Sequence, residues 1–314
     1  KGLLDLAAEM SVQSIVFTGG EPLLREDCAE AAKYARSLGM NTSCLTNGMM
    51  LKDQADVIAA AFDQVVVSLD SWRPDEEERV RVGGIFERIA AGIRGLVKAG
   101  GTCVSIRPVI TRYNVESLSE FPEYAARELG CTNFLPAICS PTTAEDLNLF
   151  AYLPELETFC RAKRLFYESL GKVRQLSPCL PKPEIKASTQ CGAGTGLLSI
   201  APNGDVFPCH LMHNAHMRAG NIRCQRLDAI WSESPVLADI RRKRGMRFRA
   251  CEACPIIGLC SLNCPALHLA FAEREKEYTS IMCAYARADV EEQLWIEVDI
   301  LTSTADRRLT KGER

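Results

Sequence analysis

The most chemically informative stretch of the chain is residues 251–264, which read CEACPIIGLCSLNC. Four cysteines fall within these fourteen residues, with the spacing C-x2-C-x5-C-x3-C. A C-x2-C pair lets two thiolates converge on one centre from a tight turn, and both zinc sites and iron–sulfur clusters use that arrangement. A structural zinc site usually repeats C-x2-C, and the x5 gap is too wide for such a knuckle. The spacing therefore favours an iron–sulfur cluster, with zinc as the alternative.

Cysteine is abundant in this chain, with 15 residues in 314, and eight of them lie from Cys191 onward. The number is odd, the chain is not small, and its opening residues are typical of a helix rather than of a secretory signal. Disulfides are therefore disfavoured, and clustered thiols in a reducing, cytoplasmic setting indicate metal or redox chemistry. The early cysteines are expected to be small buried hydrophobic residues: Cys28, Cys44, Cys103, Cys131, Cys139 and Cys160.

Composition and charge exclude several other classes of protein. Hydrophobic residues make up 47% of the chain and charged residues 25%, which is ordinary for a globular protein. The net charge of −3 gives no field that would attract nucleic acid or an anionic membrane. No apolar run approaches the roughly 20 residues that a transmembrane helix needs. We therefore expect neither a nucleic-acid partner nor a membrane partner.

The first part of the chain alternates short β-rich runs with helical patterns. The helical patterns lie near 27–38, 53–61, 83–99 and 115–129. The runs between them are SIVFT (14–18), NTSCLT (41–46), QVVVSLD (64–70), TCVSIRPVI (102–110) and NFLPAI (133–138). Apolar runs of this length between helices indicate buried parallel strands. Five such repeats predict a barrel or an open sheet, and the length favours a partial barrel.

The repeat stops after residue 138, and the rest of the chain divides into three parts. We expect a helical linker over 139–186, a cysteine-rich α+β domain over 187–300 and a frayed polar tail over 301–314. Within them we predict helices near 154–170 and 284–299, a proline-rich connection at 177–186 and a β-hairpin in LLSIAPNGDVFPC, residues 197–209. The hairpin would carry Cys209 to a fixed place.

The later cysteines carry a resemblance to a known family. Residues 191–209 have the pattern C-x12-G-x4-C, the group at 251–264 follows after a gap, and Cys283 completes the set. This order resembles the seven-cysteine signature of the SPASM domain, which is appended to radical S-adenosylmethionine (SAM) enzymes and usually holds two auxiliary [4Fe–4S] clusters. The resemblance implies a partial (β/α)6-type TIM barrel, without its first strand, followed by a small SPASM domain.

The resemblance also implies which thiols bind which cluster. The outer auxiliary cluster would be held by Cys251, Cys254, Cys260 and Cys283. The inner one would be held by Cys191, Cys209 and Cys264, with Cys179 as the candidate fourth ligand and an open iron site as the alternative. Cys224 fits no position of the signature and is expected to be structural.

A second motif, TGGEPLLRED at 18–27, follows the strand SIVFT. Two glycines let a backbone approach a ligand closely at the carboxyl end of a barrel strand, and Glu21 can accept from an ammonium group. Residues Gly19, Gly20, Glu21 and Pro22 resemble the GGEP motif of radical SAM enzymes, which contacts the methionine amino group of SAM.

Three other strand ends offer polar residues to the same mouth of the barrel. Thr46 and Asn47 follow one strand, and Ser68 and Asp70 follow the next. Arg107 is a candidate partner of the SAM carboxylate, since guanidinium binds carboxylate well. Each of these is equally compatible with a turn or cap. Asp70 is also a candidate catalytic residue.

A third cluster is implied whose ligands this sequence does not contain. In radical SAM enzymes a [4Fe–4S] cluster held by C-x3-C-x2-C chelates SAM, and no such motif occurs here. Lys1 begins in what resembles the first helix of the barrel. We therefore expect the sequence to be a fragment of a longer protein, with a cluster-free relative as the alternative, and we expect the fragment alone not to cleave SAM.

For the intact enzyme the resemblance implies formation of a 5′-deoxyadenosyl radical that abstracts hydrogen from a substrate. SPASM enzymes mostly modify peptides or proteins, so a peptide maturase that forms a crosslink or an oxidised residue is the leading hypothesis, with a flavodoxin- or ferredoxin-type reductant. One alternative is a radical SAM oxidase of a small molecule or haem precursor. Another is a non-catalytic iron–sulfur electron-transfer protein or a zinc-stabilised binding protein.

His210 directly follows Cys209, where sulfatase maturases carry an aspartate, and this departure argues against sulfatase maturation. His210 is a candidate acid or base near neutral pH, with a plain surface histidine as the alternative. A basic run, RRKRGMRFR, lies at 241–249 and predicts a solvated helix face. The more specific alternative is a binding site for an acidic peptide.

Overall fold

The structure is a computed structural model that describes residues 1–81, 83–175, 191–243, 247–260 and 262–310. The proline-rich connection at 177–186 and the candidate ligand Cys179 lie outside the described residues. Among the residues that are described, no helix combines the length and the apolar character that crossing a membrane requires.

The first part is built on a parallel sheet. Its strands, with those of a neighbouring two-stranded sheet, are β1 Ser14–Phe17, β2 Asn41–Thr46, β3 Gln64–Val67, β4 Cys103–Ile106, β5 Val109–Ile110, β6 Asn133–Phe134 and β7 Ala137–Ile138. The five-stranded sheet has the order β1-β2-β3-β4-β6, and β5 pairs with β7. Thr46 lies opposite Val67 and Val67 opposite Ile106, so the carboxyl ends of β2, β3 and β4 lie side by side. The expected partial barrel of parallel strands is confirmed.

Two of the expected strands are each broken into two. The run at 102–110 divides into β4 and β5 around Arg107 and Pro108, and the run at 133–138 divides around Leu135 and Pro136. Proline has no N–H to donate to a neighbouring strand, so the ladder of hydrogen bonds is interrupted at each proline. The second segments then pair with each other as a separate short sheet.

Helices connect these strands and cover the sheet. They are α1 Gly2–Glu9, α2 Cys28–Ser37, α3 Leu51–Ala61, α4 Pro74–Val80, α5 Phe86–Ala99, α6 Phe121–Tyr124 and α7 Leu156–Gln175. Helix α4 was not expected, although Pro74 with three acidic residues in the first turn is a helix-start pattern. The helix expected near 115–129 is instead a 3-10 turn, the short α6 and a π-helical segment at Ala125–Leu129.

The core of this part lies between the sheet and its helices. Helix α5 buries one face, with Ile89, Ile93 and Leu96 inaccessible to solvent. At Gly92 a Cβ atom would lie 2.5 Å from the Cβ of Leu51, so only glycine allows α5 to approach α3 this closely.

The cysteine-rich part contains a three-stranded antiparallel sheet and four helices. They are β8 Ser199–Ile200, β9 Asp205–Phe207, β10 Gly220–Asn221, α8 Leu227–Glu233, α9 Pro235–Arg242, α10 Pro265–Ala270 and α11 Glu275–Thr310. The expected hairpin is confirmed as β8 and β9, and Gly204 in its turn has a φ of 88°. Helix α11 is longer than expected at both ends, and residues 301–310, expected to be a frayed tail, are helical.

Helix α11 packs against α7 through two ion pairs, each with one buried partner. The Lys163 side chain is 2% exposed, and its Nζ lies 2.5 Å from an oxygen of Asp289. Burial lowers the pKa of Lys163, while Asp289 opposes that shift. Beside this pair Arg164 donates two hydrogen bonds, of 2.7 and 3.0 Å, to Glu292. These pairs join α7 to the part of α11 that the sequence predicts to be helical.

Candidate functional site

The carboxylate of Glu21 joins the loop after β1 to the end of β2. One oxygen accepts from Thr46 Oγ1 at 2.8 Å and from the backbone N–H of Leu23 at 3.1 Å. The other accepts from the backbone N–H of Asn47 at 2.7 Å. A carboxylate has about four acceptor positions, so one position remains for a further donor.

The glycines that precede Glu21 leave open space above the backbone. Gly19 has a φ of 131°, a conformation that favours glycine, and both Gly19 and Gly20 are exposed. A Cβ at either residue would meet no other atom within 4 Å, whereas Pro22 is buried and starts a short 3-10 turn. The loop therefore presents bare N–H and C=O groups beside the Glu21 carboxylate, which fits the approach of an amino-acid ligand.

The neighbouring loop after β2 is fixed by its own side chains. Thr46 Oγ1 accepts from the N–H of Gly48 at 3.1 Å, and Asn47 Oδ1 accepts from the N–H of Met49 at 2.9 Å. Gly48 has a φ of 83°, and a Cβ there would lie 2.9 Å from Ile89. Thr46 and Asn47 are thus brought to the Glu21 loop, as the sequence predicts.

At the end of β3 the structure places Asp70 in a different setting from Ser68. Ser68 is half-buried, and its N–H donates to the Thr46 carbonyl at 2.9 Å. Asp70 is 2% exposed; one oxygen accepts from the N–H of Val109 and the other from Arg81 Nε, both at 2.8 Å. Asp70 therefore joins the end of β3 to the start of β5, and its catalytic role stays a prediction.

Glu77 is a buried carboxylate that the sequence analysis missed. It is fully buried, and one oxygen accepts from the N–H groups of Asp70 at 2.8 Å and Ser71 at 2.9 Å. The other oxygen lies 3.2 Å from Arg81 Nε without forming a hydrogen bond. Burial, and next the charge of Asp70, raises the pKa of Glu77 to about 7. The i,i+4 spacing of Glu77 and Arg81 was the available clue.

Arg107 lies at the carboxyl end of β4, beside the strands that carry Thr46 and Ser68. Its N–H donates to the carbonyl of Val67 at 2.8 Å, and its side chain is exposed. Within the described part of the chain, its guanidinium forms neither a hydrogen bond nor an ion pair. This leaves its donors available to an anionic ligand.

The cysteines of the outer group lie together. Burial is the main cause that raises the pKa of Cys283, and the neighbouring thiols of Cys251, Cys260 and Cys254 raise it further. The pKa of Cys251 is likewise raised, first by burial and then by the neighbouring thiols of Cys260 and Cys254. Charges on thiols affect one another appreciably only at short range in a protein, so these four side chains lie near one another.

The inner group forms around a separate small core. Burial is the main cause that raises the pKa of Cys264, and the neighbouring thiols of Cys191 and Cys209 raise it further. All three pack on a core that includes Ala193 and Met212. The assignment of the later cysteines to two clusters stays a prediction.

The donor set fits iron–sulfur clusters. Among the described residues every cysteine is a free thiol, and no three His, Cys, Asp or Glu side chains surround one point closely enough for a single metal ion. In a [4Fe–4S] cube each thiolate binds a different iron, so its sulfurs spread around the cube. Two groups of neighbouring thiols, none of them in a disulfide, supply donors of that kind.

Arg241 holds the loop of Cys191 in place. Its Nε donates to the carbonyl of Gly194 and its second nitrogen to that of Trp231, both at 2.7 Å. Arg242 and Lys243 both pair with Asp239. The start of the basic run is therefore occupied by contacts within the protein, which favours the helix-face interpretation.

Exposure and hydrogen bonding describe four further residues. His210 is exposed, with Nδ1 3.5 Å from Cys209 Sγ. Cys224, expected to be structural, is exposed, and so is Cys103, expected to be buried. The buried Nδ1 of His268 has no hydrogen-bond partner among the described residues. Exposure depends on which surfaces pack together, and a single cysteine carries no periodic pattern that would report it.

Two family models match the chain. Residues 2–125 match the radical SAM superfamily, and residues 191–255 match SPASM, an iron–sulfur cluster-binding domain. The chain belongs to the radical SAM superfamily and carries a SPASM domain. Together these matches cover more than half of the chain and confirm the proposed resemblance. The protein is therefore an enzyme of a family that uses SAM and iron–sulfur clusters.

Curated relatives span most of this chain. Mycofactocin maturase MftC of Mycobacterium tuberculosis (strain ATCC 25618 / H37Rv) is 27% identical over 280 residues, 85% of this chain and 69% of the relative. AdoMet-dependent heme synthase of Methanosarcina barkeri is 27% identical over 287 residues, 83% of this chain and 80% of the relative. PqqA peptide cyclase of Xanthomonas oryzae pv. oryzae is 27% identical over 280 residues, 81% and 70% respectively.

Solved structures share the fold. Native anSMEcpe with bound AdoMet and Cp18Cys peptide has a TM-score of 0.70 at 14% identity, covering 96% of this chain and 91% of that one. Streptococcus suis SuiB bound to S-adenosylmethionine has a TM-score of 0.64 at 20% identity, covering 88% and 67%. These similarities support a partial TIM-barrel radical SAM fold followed by a SPASM domain.

Proposed function

We propose that this radical SAM enzyme matures a peptide or protein substrate by forming a crosslink or an oxidised residue. The observation that carries the proposal is the combination of a SAM-type loop around Glu21 with two separate groups of thiols. The relatives named mycofactocin maturase and PqqA peptide cyclase support a peptide as the substrate.

SAM would bind at the carboxyl ends of the strands. Glu21 would accept from its ammonium group, the backbone of Gly19, Gly20 and Pro22 would lie along its methionine part, and Arg107 would meet its carboxylate. Thr46, Asn47 and Ser68 would hold these loops in position. When bound with a reduced cluster, SAM would supply the radical chemistry that removes hydrogen from the substrate.

The SPASM part would hold two auxiliary [4Fe–4S] clusters, the inner at Cys191, Cys209 and Cys264 and the outer at Cys251, Cys254, Cys260 and Cys283. Cys179 remains the proposed fourth ligand of the inner cluster. The seven other thiols lie in the described part of the chain, are near one another within each group and are free of disulfides, which supports the assignment. A flavodoxin- or ferredoxin-type protein would supply electrons.

An acid or base would be needed wherever the substrate loses or gains a proton. His210 is the stronger candidate, because its ring is exposed beside Cys209. Asp70 is the weaker candidate, because both of its oxygens already accept hydrogen bonds from the protein.

A second candidate function is oxidation of a haem precursor. The relative named AdoMet-dependent heme synthase aligns with 83% of this chain at 27% identity, close to the values for the peptide-modifying relatives. Overall identity therefore does not separate the two substrate classes.

Iron analysis and substrate trials test the proposal. After anaerobic reconstitution we expect about eight irons per chain in addition to any at the SAM cluster, and no zinc. The full-length enzyme, given SAM and a reductant, is then offered the short peptides encoded beside its gene, and separately a porphyrin precursor. Loss of hydrogen from a peptide, seen by mass spectrometry, supports maturation. Turnover of the porphyrin precursor alone, or a chain with zinc in place of iron, would overturn it.

A further inference from the structure

Tyr278, on α11, is a fully buried aromatic residue that the proposed function does not use. Its side chain is 1% exposed. Its ring stacks on that of Phe271, with centroids 4.2 Å and planes 21° apart, and the ring of Phe248 lies 5.7 Å away. The phenol is therefore enclosed by apolar rings, an arrangement in which a tyrosine hydroxyl needs a hydrogen-bond partner.

That partner comes from the barrel part of the protein. The hydroxyl of Tyr278 lies 3.1 Å from the Oγ of Ser140, 138 residues away in the sequence. Ser140 follows β7, the last strand of the barrel part, by two residues. The hydrogen bond therefore joins α11 to the end of the barrel.

Tyr278 also lies beside both groups of thiols. Its phenol interacts electrostatically with Cys264 of the inner group and with Cys260 and Cys283 of the outer group. The aromatic core that contains Tyr278 packs against Cys264 and against Cys251. One side chain thus has a proposed ligand of each cluster as its neighbour.

We propose that Tyr278 is a positioning residue shared by the two auxiliary clusters. Its ring keeps water from the space between the two cysteine groups, and its hydrogen bond to Ser140 fixes that space against the barrel. This inference rests on the proposed assignment of the cluster ligands. Because solvent exposure and nearby hydrogen bonds set cluster potentials, one change at Tyr278 should alter both clusters together.

The test compares Tyr278→Leu with Tyr285→Leu in the anaerobically reconstituted chain. Tyr285 lies on the same helix, but its hydroxyl donates to the carbonyl of Pro154 and its ring meets Phe159. A redox titration monitored by electron paramagnetic resonance measures the reduction potential of each cluster separately. In Tyr278→Leu we expect both reduction potentials to rise, because water stabilises the added negative charge, and in Tyr285→Leu we expect neither to change.

A shift of only one cluster, or of neither, overturns the proposal. Should Tyr278→Leu fold but lose iron, loss of both clusters supports it and loss of one contradicts it. If Tyr278→Leu does not fold, Tyr278→Phe and Ser140→Ala replace it, because each deletes the same hydrogen bond. The proposal then requires each of these variants to change the spectra of both clusters in the same direction. A wild-type chain that binds fewer than two clusters overturns the ligand assignment itself, together with this inference.

Discussion

Thr46 donates a hydrogen bond of 2.8 Å to the carboxylate of Glu21, and so joins the ends of two neighbouring strands. The same carboxylate accepts from the N–H of Asn47. The protein therefore orients Glu21 before any ligand binds. Because the side chain is already ordered, less conformational entropy is lost on binding.

Replacing Glu21 by Gln should loosen this loop. In the variant an amide NH₂ replaces one carboxylate oxygen, so it faces an N–H or O–H donor and cannot accept from it. Loss of a partly buried hydrogen bond costs about 1–3 kcal/mol. We expect a lower free energy of unfolding in chemical denaturation and faster hydrogen exchange at the amide of Asn47. Glu26→Gln, at an exposed residue of the same loop, is the matched control. Unchanged exchange at Asn47 would show that the bond to Glu21 does not orient the loop.

Glu77 should make stability depend on pH. Its pKa is raised from 4.5 to about 7, mainly by burial, so between these values the folded protein holds a proton that the unfolded chain has released. Stability should therefore fall as the pH rises from about 4.5 to 7, by up to about 3 kcal/mol.

Glu77→Gln should remove that loss, because the amide does not ionise and its oxygen still accepts from the N–H groups of Asp70 and Ser71. Unfolding free energies of the two proteins across this pH range give the comparison. Glu78→Gln, at an exposed neighbour, should keep the wild-type profile. Parallel pH profiles for the wild type and Glu77→Gln would contradict the assignment.

The buried pair between Lys163 and Asp289 should respond unequally to loss of each partner. Asp289→Asn leaves the Lys163 ammonium buried without its counter-charge, which costs about 3–5 kcal/mol. Lys163→Met removes that charge and leaves Asp289 partly solvated, so we expect a smaller loss. Glu291→Gln, at an exposed site of α11, serves as the control in thermal unfolding. Equal losses for the two variants would count against a buried ammonium.

The two cysteine groups should lose iron independently. Cys254→Ser should remove the outer cluster and Cys209→Ser the inner one, each lowering bound iron by about four atoms per chain. Cys224→Ser should leave the iron content unchanged, because Cys224 is exposed and fits no position of the signature. Iron and sulfide assays on reconstituted protein measure this, and an equal loss in all three variants would refute the assignment.

Residue types and their spacing were enough to predict iron–sulfur chemistry and the class of the fold. The spacing of the thiols within 251–264 and the apolar runs of the buried strands are both local patterns along the chain. Both can therefore be recognised from the sequence alone. The residues of the Glu21 loop were identified in the same way, from a short motif after a strand.

The burial and the long-range contacts of the residues between those motifs became visible only in the tertiary structure. The burial of Glu77 depends on Asp70 and Arg81, and the place of Tyr278 depends on Ser140, 138 residues away. The division of a strand at Pro108 matters because a neighbouring strand has to pair with it. Burial and long-range hydrogen bonds are properties of packed surfaces, and residue spacing along a chain reports only contacts made within one element.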